Sequence, residues 1–286
     1  MKTKMFLSVI VLDLLFGQIL LFPSEIYAQH IKNLTIPDSI HTQILMLKDG
    51  SKLIGRIVEI GESEIQFEMS LGKMTILRSK IKGVEVVSTS SIRNGEYWFP
   101  NPNNTRLYFA PTARNLKKGE GYFADYFFVF PGIAYGVTDN ITIGGGMSII
   151  PGVDIPDQLF YFTPKIGGEI SKDLNVAVGA LVATVPDSFD SDAPTTAGIF
   201  YTVGTYGTPD VSVTAGIGYG YVGDEFADRP MVMVGGEKRL SRRISFVTEN
   251  WMVPGADNLI ISYGVRFFSE SLSVDLGLVN ILGEVC

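Results

Sequence analysis

Val211-Ser212-Val213-Thr214-Ala215-Gly216-Ile217-Gly218-Tyr219-Gly220-Tyr221 alternates with a period of two. Val211, Val213, Ala215, Ile217, Tyr219 and Tyr221 take one side; Ser212, Thr214, Gly216, Gly218 and Gly220 take the other. Successive side chains of a β-strand point to opposite faces, so this stretch reads as a strand with one apolar face. The second face decides the surroundings. On a soluble sheet it would carry Lys, Glu, Gln and Arg. Here it carries only Gly, Ser and Thr, as a wall does when its small side lines a narrow interior and its oily side meets lipid.

The alternation recurs from Arg106 onward. Strands are expected at 106–111, 122–137, 141–150, 159–170, 174–185, 196–206, 211–222, 231–240, 244–253, 259–268 and 272–282. Most reach the 9–11 residues that a tilted transmembrane strand needs. In 272–278, Leu272, Val274, Leu276 and Leu278 oppose Ser273, Asp275 and Gly277. In 259–267, Leu259, Ile261, Tyr263, Val265 and Phe267 oppose Ile260, Ser262, Gly264 and Arg266. Glu249, Arg266 and Asp275 are therefore expected to face the lumen together, because a cation at the bilayer midplane costs about 2–4 kcal/mol. Residues 231–239 alternate poorly. Tight turns at 138–140, 171–173, 207–210, 240–243 and 269–271 alternate with longer connections, which is the asymmetry of outer-membrane barrels, turns in the periplasm and long loops outside. On that topology 106–111 runs outward and 112–121 is an external loop. Eleven strands conflict with the even number of single-chain bacterial barrels, which favours a twelve-strand parent.

Upstream, Met1–Lys4 is basic, residues 5–22 are mostly apolar, and Ile26-Tyr27-Ala28 offers a cleavage site, so residues 1–28 read as a secretory signal peptide. Residues 29–42 and 89–104 are linkers. Between them, 43–88 holds five short strands separated by turns such as Lys48-Asp49-Gly50-Ser51 and Gly61-Glu62-Ser63. That density suggests a small, strongly bent β domain of SH3 or Sm type, placed in the periplasm. The run 47–51 followed by Gly55-Arg56-Ile57 resembles the first half of Sm-like domains, without the RNA-contacting signature that comes after it there. The module reads as a spacer or as a dock for a periplasmic partner. Residues 105–286 form the barrel, so the fold class is all-β, an antiparallel up-and-down transmembrane barrel of about 10–12 strands preceded by a five-stranded domain.

Charge and composition remove several functions. The net charge of −7 is concentrated: residues 31–100 hold 9 Lys/Arg against 8 Asp/Glu, and residues 122–282 hold 8 against 18. An acidic large domain is the wrong partner for phosphate, so nucleic acid is not expected. The two histidines are His30 and His41 and the one cysteine is Cys286. A barrel without His lacks the usual general base for acyl transfer, and no zinc ligand set can be assembled, so neither an enzyme nor a cofactor is expected. Gly218-Tyr219-Gly220-Tyr221-Val222-Gly223 matches a dinucleotide fingerprint in letters only, since it lies inside a strand.

The carboxylates of the longer connections are the candidate binding groups. Asp187, Asp190 and Asp192, and Asp224, Glu225 and Asp228, could hold divalent cations or draw cations to a pore mouth; solvated polar loops are the simpler account. The functional expectation is a structural or passive-transport role in contact with outer-membrane lipids, with a narrow cation-preferring channel as one form of it. The alternatives are a soluble secreted barrel binding an apolar ligand and a surface adhesion or display protein acting through its acidic loops. As a whole, 106–282 resembles small bacterial outer-membrane barrel proteins of the porin-like or OmpA-transmembrane type. That resemblance implies location and fold and transfers no functional residues.

Overall fold

The computed structural model describes residues 18–21, 34–186, 195–254 and 259–282, in two compact units: Pro23–Pro100, and Met1–Phe22 together with Asn101–Cys286. β1 (Gln18–Leu21) belongs to the second unit.

The smaller unit is one antiparallel sheet. Its strands are β2 (His41–Leu47), β3 (Lys52–Ile60), β4 (Glu64–Met69), β5 (Gly72–Leu77) and β6 (Ile81–Ser88), in the order β5-β4-β3-β2-β6. β4 shows why: Ile65 and Phe67 are buried with Leu45, Ile57, Ile76 and Val84, while Glu64 and Glu68 stay exposed. A bulge between Ile57 and Glu59 bends β3 so that one strand serves both halves of the sheet. Gln43 is fully buried as a connector, its amide donating to the Thr35 carbonyl (2.8 Å) and accepting from the Ile57 N–H (2.8 Å). Gln43→Leu strands both backbone groups, an expected loss of about 1–3 kcal/mol. The measurement is amide hydrogen exchange at Ile57 in the full chain; unchanged exchange would contradict it. A two-strand ribbon, β7 (Ile92–Arg93) with β8 (Glu96–Tyr97), comes next.

The larger unit is a closed barrel. Its wall contains β9 (Gly121–Tyr126), β10 (Phe130–Thr138), β11 (Ile141–Met147), β12 (Phe160–Phe162), β13 (Lys165–Ser171), β14 (Leu174–Val185), β15 (Thr195–Thr208) and β16 (Val211–Val222). It continues with β17 (Glu225–Phe226), β18 (Met231–Ser241), β19 (Ile244–Met252), β20 (Leu259–Phe268) and β21 (Leu272–Leu282). β12 and β13 keep one register on β14, interrupted at Thr163-Pro164, so they form a single stave; proline has no N–H to give the ladder. β17 folds back on the end of β16. Counting β12 and β13 once and leaving β17 aside, the described residues make twelve staves, each antiparallel to its hydrogen-bonded neighbours.

Two sequence expectations fail in the wall, and their errors cancel in the count. Residues 106–111 are not a wall strand. They turn back on themselves inside the barrel, with one isolated bridge between Arg106 and Pro111 and a Leu107 N–H to Ala110 carbonyl bond of 2.8 Å. Residues 112–121 are accordingly no external loop. The single strand expected at 122–137 is two, β9 and β10, folded at Phe127 and Phe128, whose φ angles are +55° and +63°. Two bulky residues in the left-handed region carry no turn signature that a sequence reader would use.

The twelfth stave is β1, which pairs antiparallel with both β21 and β9. β9 and β21 thus run parallel to each other across it. These four residues fall inside the segment that the sequence assigns to a signal peptide.

The wall faces obey the alternation. Val211, Val213, Ile217 and Tyr219 stand on the outside at 46–59% exposure, while Ser212 and Thr214 are buried. Phe200, Tyr206, Val234, Tyr263 and Phe267 extend the outer apolar surface over neighbouring staves. The turns β10–β11, β13–β14, β15–β16, β18–β19 and β20–β21 are short and lie at one end; the longer connections lie at the other.

Candidate functional site

The interior of the barrel is occupied by its own chain. Asn101 enters at the short-turn end, donating to the Pro209 carbonyl (3.2 Å) and to Glu237 Oε1 (2.7 Å). The chain rises to a tip at Tyr108-Phe109 and returns, and Gly119 and Gly136 are joined by backbone bonding again beside a short turn. Leu107, Tyr108, Ala110 and Ala113 are buried against Ala177, Val203, Met233 and Val247 of the wall. At two inner-wall glycines the plug adds to the crowding already imposed by the backbone of the neighbouring wall strand. A Cβ on Gly235 would lie 2.5 Å from Leu107 Cδ1, and one on Gly264 would lie 2.9 Å from the Tyr108 hydroxyl. The small inner face, read from sequence as the lining of a lumen, admits this plug.

Its polar backbone is satisfied by buried charges on the wall. Glu249 Oε2 accepts from three successive backbone N–H groups, Tyr108 (2.9 Å), Phe109 (3.0 Å) and Ala110 (3.0 Å), while Oε1 accepts from the Trp251 indole (2.7 Å). An inward carboxylate thereby caps the tip, as an anion fits a nest of backbone donors. One level nearer the short turns, Arg266 is fully buried. Its fork takes Asp275 through Nε (2.7 Å) and Nη2 (2.9 Å), and Nη1 reaches Glu237 Oε2 at 2.7 Å. The remaining N–H groups donate to the carbonyls of Asn103 (2.8 Å) and Leu107 (2.8 Å). A planar guanidinium is suited to this because it presents five fixed donors. Lys165 donates to the carbonyls of Thr105, Thr112 (2.9 Å) and Arg114. Hydroxyls complete the set: the Ala113 N–H donates to Thr205 Oγ1 (2.9 Å) and the Leu116 N–H to Thr142 Oγ1 (3.0 Å).

Of the sequence candidates, Arg266 and Asp275 meet directly, and Glu249 lies at the next level up, around the same segment. Glu237, Lys165, Arg106 and Arg239 were missed. Residues 231–239 alternate poorly because Met231, Met233, Glu237 and Arg239 all point inward, where small residues are expected, while Lys238 is exposed; Arg239 reaches Asp210 at 2.9 Å. Lys165 shares inward parity with Tyr161 and Thr163, a signal the sequence offered. Asp224, Glu225 and Asp228 are exposed around β17 or at its flank. Asp187, Asp190 and Asp192 lie outside the described residues, as does His30. Among the described residues no three His, Cys, Asp or Glu side chains gather as a metal site. His41 lies in the smaller unit; its hydrogen bond to Asp38 (2.6 Å) holds that carboxyl below the ordinary value.

Between the plug and the wall is a cup of about 230 Å³. Arg106, Phe109 and Ala110 line it from the plug, and Tyr122, Tyr126, Lys165, Tyr201, Met231 and Trp251 are among the wall residues that line it. Phe109 stacks on Tyr126 (5.6 Å between centroids) and Phe127 (5.5 Å), so the left-handed Phe127-Phe128 turn places an aromatic ring on the plug tip.

No family model and no curated protein matches the chain. Among solved structures it is similar to a loop-deletion mutant of OmpT, an outer membrane protein of Vibrio cholerae, at 10% identity over 94% of this chain and 98% of that one, with a TM-score of 0.30. It is also similar to OmpF of Salmonella typhi in complex with daunomycin, at 8% identity over 94% and 97% of the two chains, TM-score 0.30. Similarity at that level carries nothing about function.

Proposed function

We propose that the chain is an outer-membrane β-barrel closed from within by its own residues 101–118, with a structural or gated transport role in place of a standing cation channel. The observation that carries the reading is the division of the wall: a predominantly apolar outer face, and inward charges engaged with the enclosed segment or with one another. A soluble barrel binding an apolar ligand would have the faces reversed. Cation preference draws no support from the interior, since Arg106 and Lys165 line the cup while Glu237, Glu249 and Asp275 are already engaged. The chain enters the barrel at its short-turn end, the end such barrels keep in the periplasm. For residues 43–88 the reading keeps a periplasmic location, as an Sm- or SH3-like spacer or docking module. No catalytic step belongs to this reading, and adhesion through the acidic loops is a separate property that it neither needs nor supplies.

Cleavage after Ala28 would remove β1 and leave the parallel pair β9 and β21 to close the wall directly. The intact mass of membrane-extracted protein reads which form exists; a mass matching all 286 residues would retain β1 as a stave.

Ile217→Arg tests the lipid assignment. At mid-strand on the outer face it should cost about 2–4 kcal/mol, seen as loss of the heat-modifiable band and of membrane-fraction protein. On a soluble surface the same change stays within about 0.5 kcal/mol, and that result would remove the membrane reading.

A further inference from the structure

We infer that the cup beside the plug is a binding site for a small organic carboxylate with an aromatic or compact apolar body. Two cations line it, and among the described residues neither has an acidic partner. Arg106 is 3% exposed. Its Nε donates to Asn103 Oδ1 at 3.3 Å, Nη1 donates to the Tyr126 hydroxyl, and Nη2 has no hydrogen-bond partner. Its guanidinium also lies over the rings of Tyr126 (4.6 Å) and Tyr122 (5.4 Å). Lys165 is 6% exposed and spends its ammonium on carbonyls alone. The contrast within the same barrel is informative: Arg266 holds two carboxylates and Arg239 holds Asp210.

A buried charged donor without an acceptor is costly, and a native structure that keeps one calls for an explanation. An arriving carboxylate supplies it, because a guanidinium binds that group in a charge-assisted pair. The rest of the cup sets the body of the ligand. Tyr201, Met231, Met233 and Trp251 present ring and thioether surface, and hydroxyls at Thr142 and Thr163 add a few polar points. Mostly apolar walls with few convergent polar groups are the usual composition of a small-molecule site. The volume fits on the order of ten non-hydrogen atoms, taking about 30 Å³ as a water's share of liquid. The site rests on the plugged geometry and is independent of whether the barrel sits in a membrane.

The test uses the full chain folded in detergent, with Trp98→Phe so that Trp251 alone reports. Titration with benzoate is expected to change its emission saturably, with benzyl alcohol at least tenfold weaker and inorganic phosphate silent. Arg106→Gln should weaken benzoate at least tenfold while leaving benzyl alcohol unmoved. Met231→Trp, read by isothermal titration calorimetry because it adds a second indole, fills the cup without touching the cations and should abolish both; it decides the matter if the arginine variant fails to fold. Equal binding of acid and alcohol, binding indifferent to both substitutions, or no saturable binding by protein that still shows the heat-dependent gel shift would each overturn the site. That last result would leave the plugged barrel standing.

Discussion

Arg266→Met is expected to destabilise the folded barrel by about 3–5 kcal/mol, the usual cost of removing one partner from a buried ion pair. Arg266 neutralises Asp275 and Glu237 at once, and neither carboxylate has water to turn to, being 0% and 6% exposed. The same side chain holds the carbonyls of Asn103 and Leu107, so its loss detaches the entering arm of the plug as well as charging the wall. The loss should appear as a lower urea midpoint for the slow-to-fast gel shift, together with new protease cuts between residues 101 and 118. Charge and packing can be separated. Arg266→Met combined with Asp275→Leu and Glu237→Gln removes the orphaned carboxylates, and should recover more than half of the loss because buried ion networks are often replaceable by apolar groups of similar size. Recovery of stability without recovery of protease resistance is the expected pattern, since no methionine can bind the two carbonyls. A single substitution costing less than about 1 kcal/mol would mean that the network is hydrated and that the plug is held elsewhere.

The parts legible in the sequence were those that depend on local alternation. The wall strands from Ile141 onward, the five tight turns and the apolar outer face all come from period two, which one strand carries on its own. Facing residues such as Arg266 and Asp275 were legible for the same reason: parity alone put them inside. The plug was not legible because nothing in Arg106-Leu107-Tyr108-Phe109-Ala110 distinguishes a strand from a tight reversal whose hydrogen bonds go to side chains far along the chain. Glu249 lies 139 to 141 residues from the three N–H groups it caps. A short apolar run of this kind is satisfied equally by a neighbouring strand or by an enclosing wall, and only the wall's inward charges decide. The clue was present but misattributed. Glycine, serine and threonine on the inner face, with scattered charges among them, read as the lining of a small polar lumen. The same residues are what a wall needs to admit a second layer of chain and satisfy its backbone. The cup depends on that layer and was beyond reach for the same reason.

Exchanging residues 104–115 for a flexible Gly-Ser segment of equal length is expected to turn a silent barrel into a conducting one. No ladder bond of the twelve staves involves these residues, so the wall should still assemble and keep its heat-dependent mobility. Twelve strands about 4.8 Å apart and tilted about 40° enclose a backbone radius of roughly 12 Å. Eight-stranded barrels are filled by their own side chains and sixteen-stranded ones leave an aqueous channel, so this wall falls between the two. Its inner face is small at Gly216, Gly218, Gly235 and Gly264, which leaves several ångströms open once Leu107, Tyr108 and Phe109 are gone. The charges that remain on the described inner wall, Lys165, Arg239 and Arg266 against Glu237, Glu249 and Asp275, balance, so the open variant should discriminate weakly between potassium and chloride. Planar-bilayer recordings compare it with the intact protein. Stable single-channel steps in the exchanged variant and none in the parent are the expected pair of results. Equal conductance in both would mean that residues 101–118 do not close the barrel. Silence in both, with the wall intact by gel shift, would place the barrier in another part of the chain.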